Sequence, residues 1–292
     1  MKYNFRLNKM QISKLFVCGF LILCQCAQKK SNTMSEKFLH SYSMDEMKTV
    51  SLNTELSEIS GLEWVGEDQL WAVEDESGEI FRIDPMTGEV IQKMKFWEKA
   101  DFEDLVVIDG TAWVLQSNGD LFRVQDPAVT TGKATQFEFP NIGKRDMETI
   151  LASENGRAIW IFCKNCEIDK GSEGASVFRF DLESLQFNSQ PFHKLEQKDL
   201  KSLLQNQKSK PPKIQPSAAA YHPIDKKIYM ISSAGNWLSI LDADLNPLEM
   251  HWLDTKLFKQ PEGITFDPDG NLYISNEASG GKPNLLFFPY KP

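Results

Sequence analysis

Histidine and cysteine are scarce in this chain of 292 residues, which contains four and five of them, respectively. Three cysteines lie within the first 26 residues, so only Cys163 and Cys166 remain for the rest of the chain. Five cysteines are too few for a disulfide framework, and no histidine stands at metal-ligand spacing from this Cys-x-x-Cys pair. The pair predicts a local disulfide, with a zinc ligand pair or a redox-active pair as the alternatives.

Several common catalytic signatures are also missing. The chain contains no Gly-x-Ser-x-Gly turn, no Gly-x-Gly-x-x-Gly loop, no phosphate-binding P-loop and no His-Glu-x-x-His pair. Each of these motifs supplies a nucleophile, a phosphate-binding loop or a metal site. Their absence leaves catalysis by a standard nucleophile unsupported.

Basic charge is in short supply as well, because 32 Lys and Arg residues face 41 Asp and Glu residues, a formal net charge of -9. A polyanion of this charge is repelled by phosphate backbones and by anionic lipid surfaces. Nucleic acids are therefore not expected as partners, whereas metal ions and cationic ligands are. We expect a monomer that binds an unidentified small ligand or a protein of the cell envelope.

The N-terminus contains an uncharged apolar run, residues 15–23, which is too short to cross a bilayer as a helix. It follows a basic segment and precedes Cys24 and Cys26, an order that resembles a bacterial lipoprotein signal. We expect residues 1–23 to be a signal peptide, Cys24 or Cys26 to carry the lipid, and residues 24–46 to be a polar tether. The protein would then lie outside the cytoplasm and contact the membrane only through its lipid anchor. Secretion without a lipid and an uncleaved anchor are the alternatives.

The rest of the chain repeats itself five times. The segments ISGLEW, FEDLVV, METILA, PSAAAY and PEGITF can be aligned, and their second residues are separated by 43, 45, 69 and 45 positions. Further short alternating strands follow each segment. A period of this length filled with short strands is typical of a β-propeller, with one blade per repeat.

The fifth repeat ends after its third strand, at the last residues of the sequence. The segment MKTVSL, at positions 47–52, has the alternation of a fourth strand and no first three strands before it. We expect it to pair with the last blade and close the ring, because closure removes exposed sheet edges. The prediction is an all-β fold, a single five-bladed β-propeller over residues 47–292, with a six-bladed ring as the alternative.

The long third interval contains an insertion at about residues 192–214. Four leucines are spaced as on one face of a short amphipathic helix that ends before the prolines at positions 211 and 212. They are Leu195, Leu200, Leu203 and Leu204. We expect a surface flap between the third and fourth blades, either solvated or in contact with a partner through its basic residues.

Three of the five equivalent first-strand positions are acidic. They are Glu103, Glu148 and Glu262, and the other two are Ser60 and Ser217. First strands line the central channel of a propeller, so these five residues are expected to form a ring at one height. The second strands end 14–16 residues later, which brings Asp75, Lys164 and Glu277 to the same end of the channel.

Carboxylates at one height repel one another, so a bound cation, raised pKa values or a wide wet channel must relieve the repulsion. Calcium prefers oxygen ligands of this kind. The sequence predicts a metal site of Glu103, Glu148 and Glu262, with Asp75 and Glu277 as auxiliary ligands and Ca²⁺ as the ion. Solvated carboxylates without a metal are the alternative.

The segments SEISGLEW, LWAVEDESGEIFRID, PSAAAYHPIDKKIYMIS, QPEGITFDPDGNLYISNE and NLLFF resemble the SdiA-regulated (YjiK-like) β-propeller family of bacterial envelope proteins. The resemblance covers about residues 54–292 and implies a propeller outside the cytoplasm, without catalytic residues to transfer. A second resemblance, to calcium-dependent lactonase-type propellers, is limited to Glu262 and Gly263, in the position where those propellers bind a channel metal.

Two hypotheses about function follow. The first is a surface-tethered binding module of the bacterial cell envelope with an acidic, cation-binding channel. The second is a metal-dependent hydrolase of a lactone, an ester or a phosphate ester. A closed pocket with a metal and a vacant coordination position would favour the enzyme, and an open metal-free face would favour the binding module.

Overall fold

The structure is a computed structural model that describes residues 37–292 except 67, 126–132, 142 and 205–209. The predicted signal peptide, Cys24, Cys26 and the first part of the predicted tether lie outside the described residues. Within the described ranges nearly all regular structure is β-strand, and no helix there is long and apolar enough to span a membrane.

Five antiparallel sheets form five blades, and the strands of each blade follow one another from the centre outwards. Blade 1 contains Ile59–Gly66, Gln69–Glu74, Glu79–Ile83 and Val90–Lys95. Blade 2 contains Phe102–Ile108, Thr111–Gln116, Leu121–Val124 and Ala134–Phe137. Blade 3 contains Met147–Ala152, Ala158–Cys163, Gly174–Asp181 and two short outer strands, Gln186–Phe187 and His193–Glu196.

Blade 4 contains Ala218–Tyr221, Ile228–Ser232, Trp237–Leu241 and Pro247–Trp252. Blade 5 contains Pro261–Phe266, Leu272–Asn276 and Asn284–Phe288, and its fourth strand is Lys48–Ser51 from the N-terminal side. The first strands of successive blades contact one another, and the first strand of blade 5 contacts that of blade 1. The predicted five-bladed β-propeller is therefore confirmed, together with its closure by an N-terminal strand.

Both faces of the inner strands are buried because every blade has a neighbour on each side. In the second strand of blade 1, Trp71 and Val73 join the apolar cluster shared with blade 2, whereas Leu70 and Ala72 join the cluster shared with blade 5. Successive side chains of a strand point to opposite faces, so alternate residues serve alternate cores. Five such clusters lie between the five pairs of neighbouring blades, which explains why the inner strands are apolar throughout.

The insertion after blade 3 differs from the predicted flap. Leu195 lies in the outer strand His193–Glu196, which pairs with the third strand of the blade, and the helix is confined to Gln197–Ser202. Leu195, Leu200 and Leu204 are buried in the cluster between blades 3 and 4. Burial of these three leucines removes apolar surface from water, so the described residues around them pack on the blades.

The end of the predicted tether also belongs to the folded body. Lys37–Leu39 pairs with Tyr42–Ser43, and one-turn 3₁₀ helices follow at Met44–Glu46 and Thr54–Leu56. The Tyr42 hydroxyl donates to the carbonyl of Gly270 at 2.6 Å and lies 2.8 Å from Nε2 of the buried His222. A buried phenol requires such partners, and here they fix the segment that leads into the closing strand.

Candidate functional site at the channel mouth

A β-bulge directs one side chain from each of four first strands towards the channel. In blades 1, 2, 3 and 5 the pairing with the second strand skips a residue at the same place. The skipped residues are Ser60, Glu103, Glu148 and Glu262. A bulge breaks the regular alternation of the strand and redirects the extra side chain. The ring residues therefore point to neither face of the sheet. In blade 4 the equivalent residue, Ser217, immediately precedes the first strand.

These five residues line one cavity of about 290 Å³, which we call the channel mouth. Because each blade contributes one of them, the cavity lies on the axis of the ring. The residues that follow the second strands of blades 1, 3 and 5, Asp75, Lys164 and Glu277, line the same cavity. All the residues predicted from the sequence to surround a metal therefore meet in one place.

The backbone fixes the residues after the second strands. The N–H of Asp75 donates to the carbonyl of Glu58 at 3.3 Å, and the N–H of Glu277 donates to that of Gln260 at 3.0 Å. Lys164 makes the equivalent 2.8 Å hydrogen bond to Asp146. The same main-chain hydrogen bond thus recurs in three blades, so the residues that follow the second strands are held at the same place relative to the first strands.

The residues that supply these carbonyl acceptors belong to a second ring of side chains, which the five aligned repeats did not lead us to predict. The residues two positions before the ring residues are Glu58, Asp101, Asp146, Gln215 and Gln260. All of them except Gln215 line the channel mouth. The repeat offset could have identified them, since it is constant in all five blades, but they lie just before the first strands, where alternation gives no signal.

The tightest group of acids combines the two rings. Glu103, Asp146 and Glu148 each offer a carboxylate oxygen, and the three oxygens lie within 4.8 Å of one another. Glu262 lines the mouth but lies outside this group, where its carboxylate bonds the side chains of Ser217 and Ser233. Asp75 and Glu277 also line the mouth without joining the three.

Eight carboxyl side chains line the channel mouth, and Lys164 is the one basic side chain among its described lining residues. Burial, the largest cause, raises the pKa of Glu103 to about 9, and the neighbouring Asp101 adds to the effect. Burial likewise raises the pKa of Glu277 to about 8, that of Glu262 to about 7 and that of Asp75 to about 6. The folded protein therefore opposes full ionisation of the mouth.

Lys164 favours the ionised form of several of these carboxyl groups. Its ammonium forms an ion pair with Glu148, whose side chain is only 9% exposed. The same positive charge lowers the pKa values of Glu103, Asp146, Glu262 and Glu277 against the stronger effect of burial. One lysine thus acts as counter-ion to five of the eight carboxyl groups.

Lys164 lies between two cysteines that are joined by a disulfide, Cys163–Cys166. Both are buried in the apolar cluster between blades 2 and 3. Asp169 lies within 4.8 Å of the sulfurs but accepts hydrogen bonds from Ser176 and pairs with Lys194. Sulfurs bonded to each other are not thiolate ligands, so this group is a covalent loop closure.

A second cavity of about 670 Å³ adjoins the mouth, and we call it the side cavity. Its lining includes residues of the disulfide loop, Gln197, Lys213 and Ile214 from the insertion, and Gln215 from the second ring. Lys164 lines both cavities. The inserted segment therefore contributes to a cavity beside the acidic mouth that the five repeats alone do not provide.

Solved structures with a similar fold include enzymes. A luciferin-regenerating enzyme has 10% sequence identity and a TM-score of 0.52, with 84% of this chain and 97% of that chain covered. The glutaminyl cyclase of Myxococcus xanthus has 9% identity and a TM-score of 0.54, with 84% and 94% covered. At such identities the likeness is one of fold alone.

No curated protein has a significantly similar sequence. Residues 186–289, which comprise the end of blade 3, the insertion, blade 4 and most of blade 5, match the SdiA-regulated family. The family resemblance drawn from the sequence segments is thereby confirmed over this part of the chain.

Proposed function

We propose that the protein is a binding module of the bacterial cell envelope whose channel mouth binds a divalent cation, with Ca²⁺ as the ion. The observation that carries the proposal is the approach of Glu103, Asp146 and Glu148 to within 4.8 Å in a cavity lined by eight carboxyl groups. Calcium takes six to eight oxygen ligands in flexible geometry, and such a cavity can supply them. The bound charge would also offset the burial, and the repulsion between neighbouring acids, that raise the pKa values of these carboxyl groups.

The serines at the mouth are not arranged as catalytic nucleophiles. Its two serines donate to main-chain carbonyls, Ser60 to Glu58 at 3.1 Å and Ser217 to Pro261 at 2.8 Å. Ser217 also lies beside the Glu262 carboxylate, but its hydroxyl proton is donated to the carbonyl of Pro261, and the described lining includes no histidine or cysteine. A serine is activated as a nucleophile only when a general base accepts its hydroxyl proton, so the mouth provides no activated serine.

Titration calorimetry with CaCl₂ on chelator-treated protein tests the proposal. We expect saturable binding in the parent and a large loss of affinity in Glu103→Gln and Asp146→Asn, which each remove one charged ligand. The exposed Glu89, away from the mouth, provides the matched control Glu89→Gln, which should bind like the parent.

Thermal melts give a second measurement. A ligand at a hundredfold excess over its dissociation constant stabilises the folded state by about 2.7 kcal/mol, which corresponds to several degrees in Tm. Identical melts in calcium and in chelator, together with no heat of binding, would overturn the proposed cation site.

The envelope location is a further part of the proposal and is supported by the resemblance of residues 1–26 to a lipoprotein signal. We expect metabolic labelling with palmitate in the parent and none when Cys24 and Cys26 are both replaced by serine. The single variants identify the acylated cysteine. Label retained in the double variant would contradict a lipid anchor at this position.

A further inference from the structure

Two hydrogen bonds and a disulfide fix the main chain of Lys164. Its N–H donates to the carbonyl of Asp146 at 2.8 Å, and its carbonyl accepts from the side chain of Gln215 at 3.4 Å. The disulfide Cys163–Cys166 closes the loop around it. The side chain, by contrast, is 28% exposed, so the ammonium can move while its attachment point stays fixed.

The ammonium is paired with a carboxylate that the proposed cation needs. It pairs with the Glu148 carboxylate, one of the three groups that lie within 4.8 Å of one another. A divalent ion bound by those three groups would also repel the ammonium at short range. Because the amine is tethered, its effective concentration at Glu148 is on the order of millimolar or higher, which makes it a strong competitor.

The side cavity can accommodate the displaced Lys164 side chain. Lys164 lines the side cavity as well as the mouth. The other charged residues of the side cavity are three acids, Glu167, Asp169 and Glu173, and three lysines, Lys144, Lys170 and Lys213. A lysine side chain can swing between such positions by rotamer changes alone, without movement of its main chain.

We propose that Lys164 is a built-in counter-ion that competes with the bound cation for Glu148 and swings towards the side cavity when the cation binds. This inference rests on the proposed function of the mouth and concerns its regulation, because the lysine sets the cation concentration at which the mouth fills.

Calcium titration of Lys164→Met tests the competition. We expect the dissociation constant to fall by about tenfold or more, since the variant removes both the competitor and a like charge. Lys144 lines the side cavity but not the mouth, so Lys144→Met is the matched control and should stay within about twofold of the parent.

Amine labelling of the parent protein tests the movement directly. Acetylation of individual lysines is followed by mass spectrometry in chelator and in calcium. We expect Lys164 to be protected in chelator and to react several-fold faster in calcium, while Lys144 reacts equally in both. This measurement uses the parent, so it holds even if Lys164→Met folds poorly.

The outcomes separate the two proposals. Calcium binding with unchanged or weaker affinity in Lys164→Met, and with unchanged labelling of Lys164, would overturn the counter-ion and leave the cation site standing. Binding in Lys164→Met alone would support the competition and overturn the mouth as a cation site in the natural chain. Absence of binding in both proteins would overturn both proposals.

Discussion

The carboxylate of Asp104 accepts the main-chain N–H of Ile150 at 2.9 Å and so links the innermost strands of blades 2 and 3. The first strand of a blade is an edge strand, because no further strand of its sheet lies on the channel side. Asp104 is 4% exposed and also accepts from the N–H of Leu105 at 2.8 Å. Thr265 plays a similar part between blades 5 and 1, where its hydroxyl accepts from the main-chain N–H of Trp64 at 3.0 Å.

We expect Asp104→Ala to lower the free energy of unfolding by about 3 kcal/mol, because it leaves two buried N–H groups without acceptors. Urea denaturation measures the change. Asp104→Asn retains one acceptor oxygen and should lose less than the alanine variant. A loss below about 1 kcal/mol in Asp104→Ala would contradict the linking role.

The raised pKa values predict an unusual dependence of stability on pH. The folded protein holds protons on Glu103 and Glu277 that the unfolded chain releases near its ordinary value of 4.5. Their contribution to stability is fully present below that value and is lost as the pH rises through about 8 and 9. In chelator, Tm should therefore fall between about pH 7 and 9.

Glu103→Gln tests whether the raised pKa values cause this fall in Tm, because it removes the group with the pKa of about 9. Its Tm should decline less over the same range, whereas Glu89→Gln should follow the parent. Parallel curves for Glu103→Gln and the parent would show that another group causes the dependence.

Closure of the ring predicts a strict requirement for Lys48–Ser51. This strand pairs with Asn284–Phe288 over four residues. A chain that begins at Leu52 should aggregate or lose most of its thermal stability, because the third strand of blade 5 becomes an exposed edge. A chain that begins at Lys37 keeps every described strand and is the control. Size-exclusion chromatography and thermal melts give the result, and equal Tm values for the two chains would rule out the requirement.

The disulfide Cys163–Cys166 closes a loop of four residues. Loop closure of this length contributes about 2 kcal/mol by the chain-entropy estimate. Replacement of both cysteines by alanine should lower Tm by about 4–8 °C. Mass spectrometry of alkylated protein confirms the bond in the parent. A double variant that melts like the parent would mean that the core between blades 2 and 3 alone holds the loop.

The repeat spacing was enough to predict the fold, because every blade must supply short strands at a constant interval and alternate their side chains between two cores. For the same reason the sequence predicted that Ser60, Glu103, Glu148, Ser217 and Glu262 share one height in the ring. The nearly constant offset from the ring residues to Asp75, Lys164 and Glu277 likewise follows from the hairpin that joins the first and second strands. These features depend on neighbours along the chain, which a sequence records directly.

Only the tertiary structure decided which of those side chains touch. Asp146, from the ring two positions earlier, approaches Glu103 and Glu148 more closely than Glu262 does. The bulges that redirect the ring residues and the angle between neighbouring blades determine this geometry, and neither leaves a mark on hydrophobic periodicity. The same holds for the insertion. Its leucines predicted an apolar face, but only the structure shows that this face is buried between blades 3 and 4, where it packs against the apolar residues of both blades and leaves contact with water.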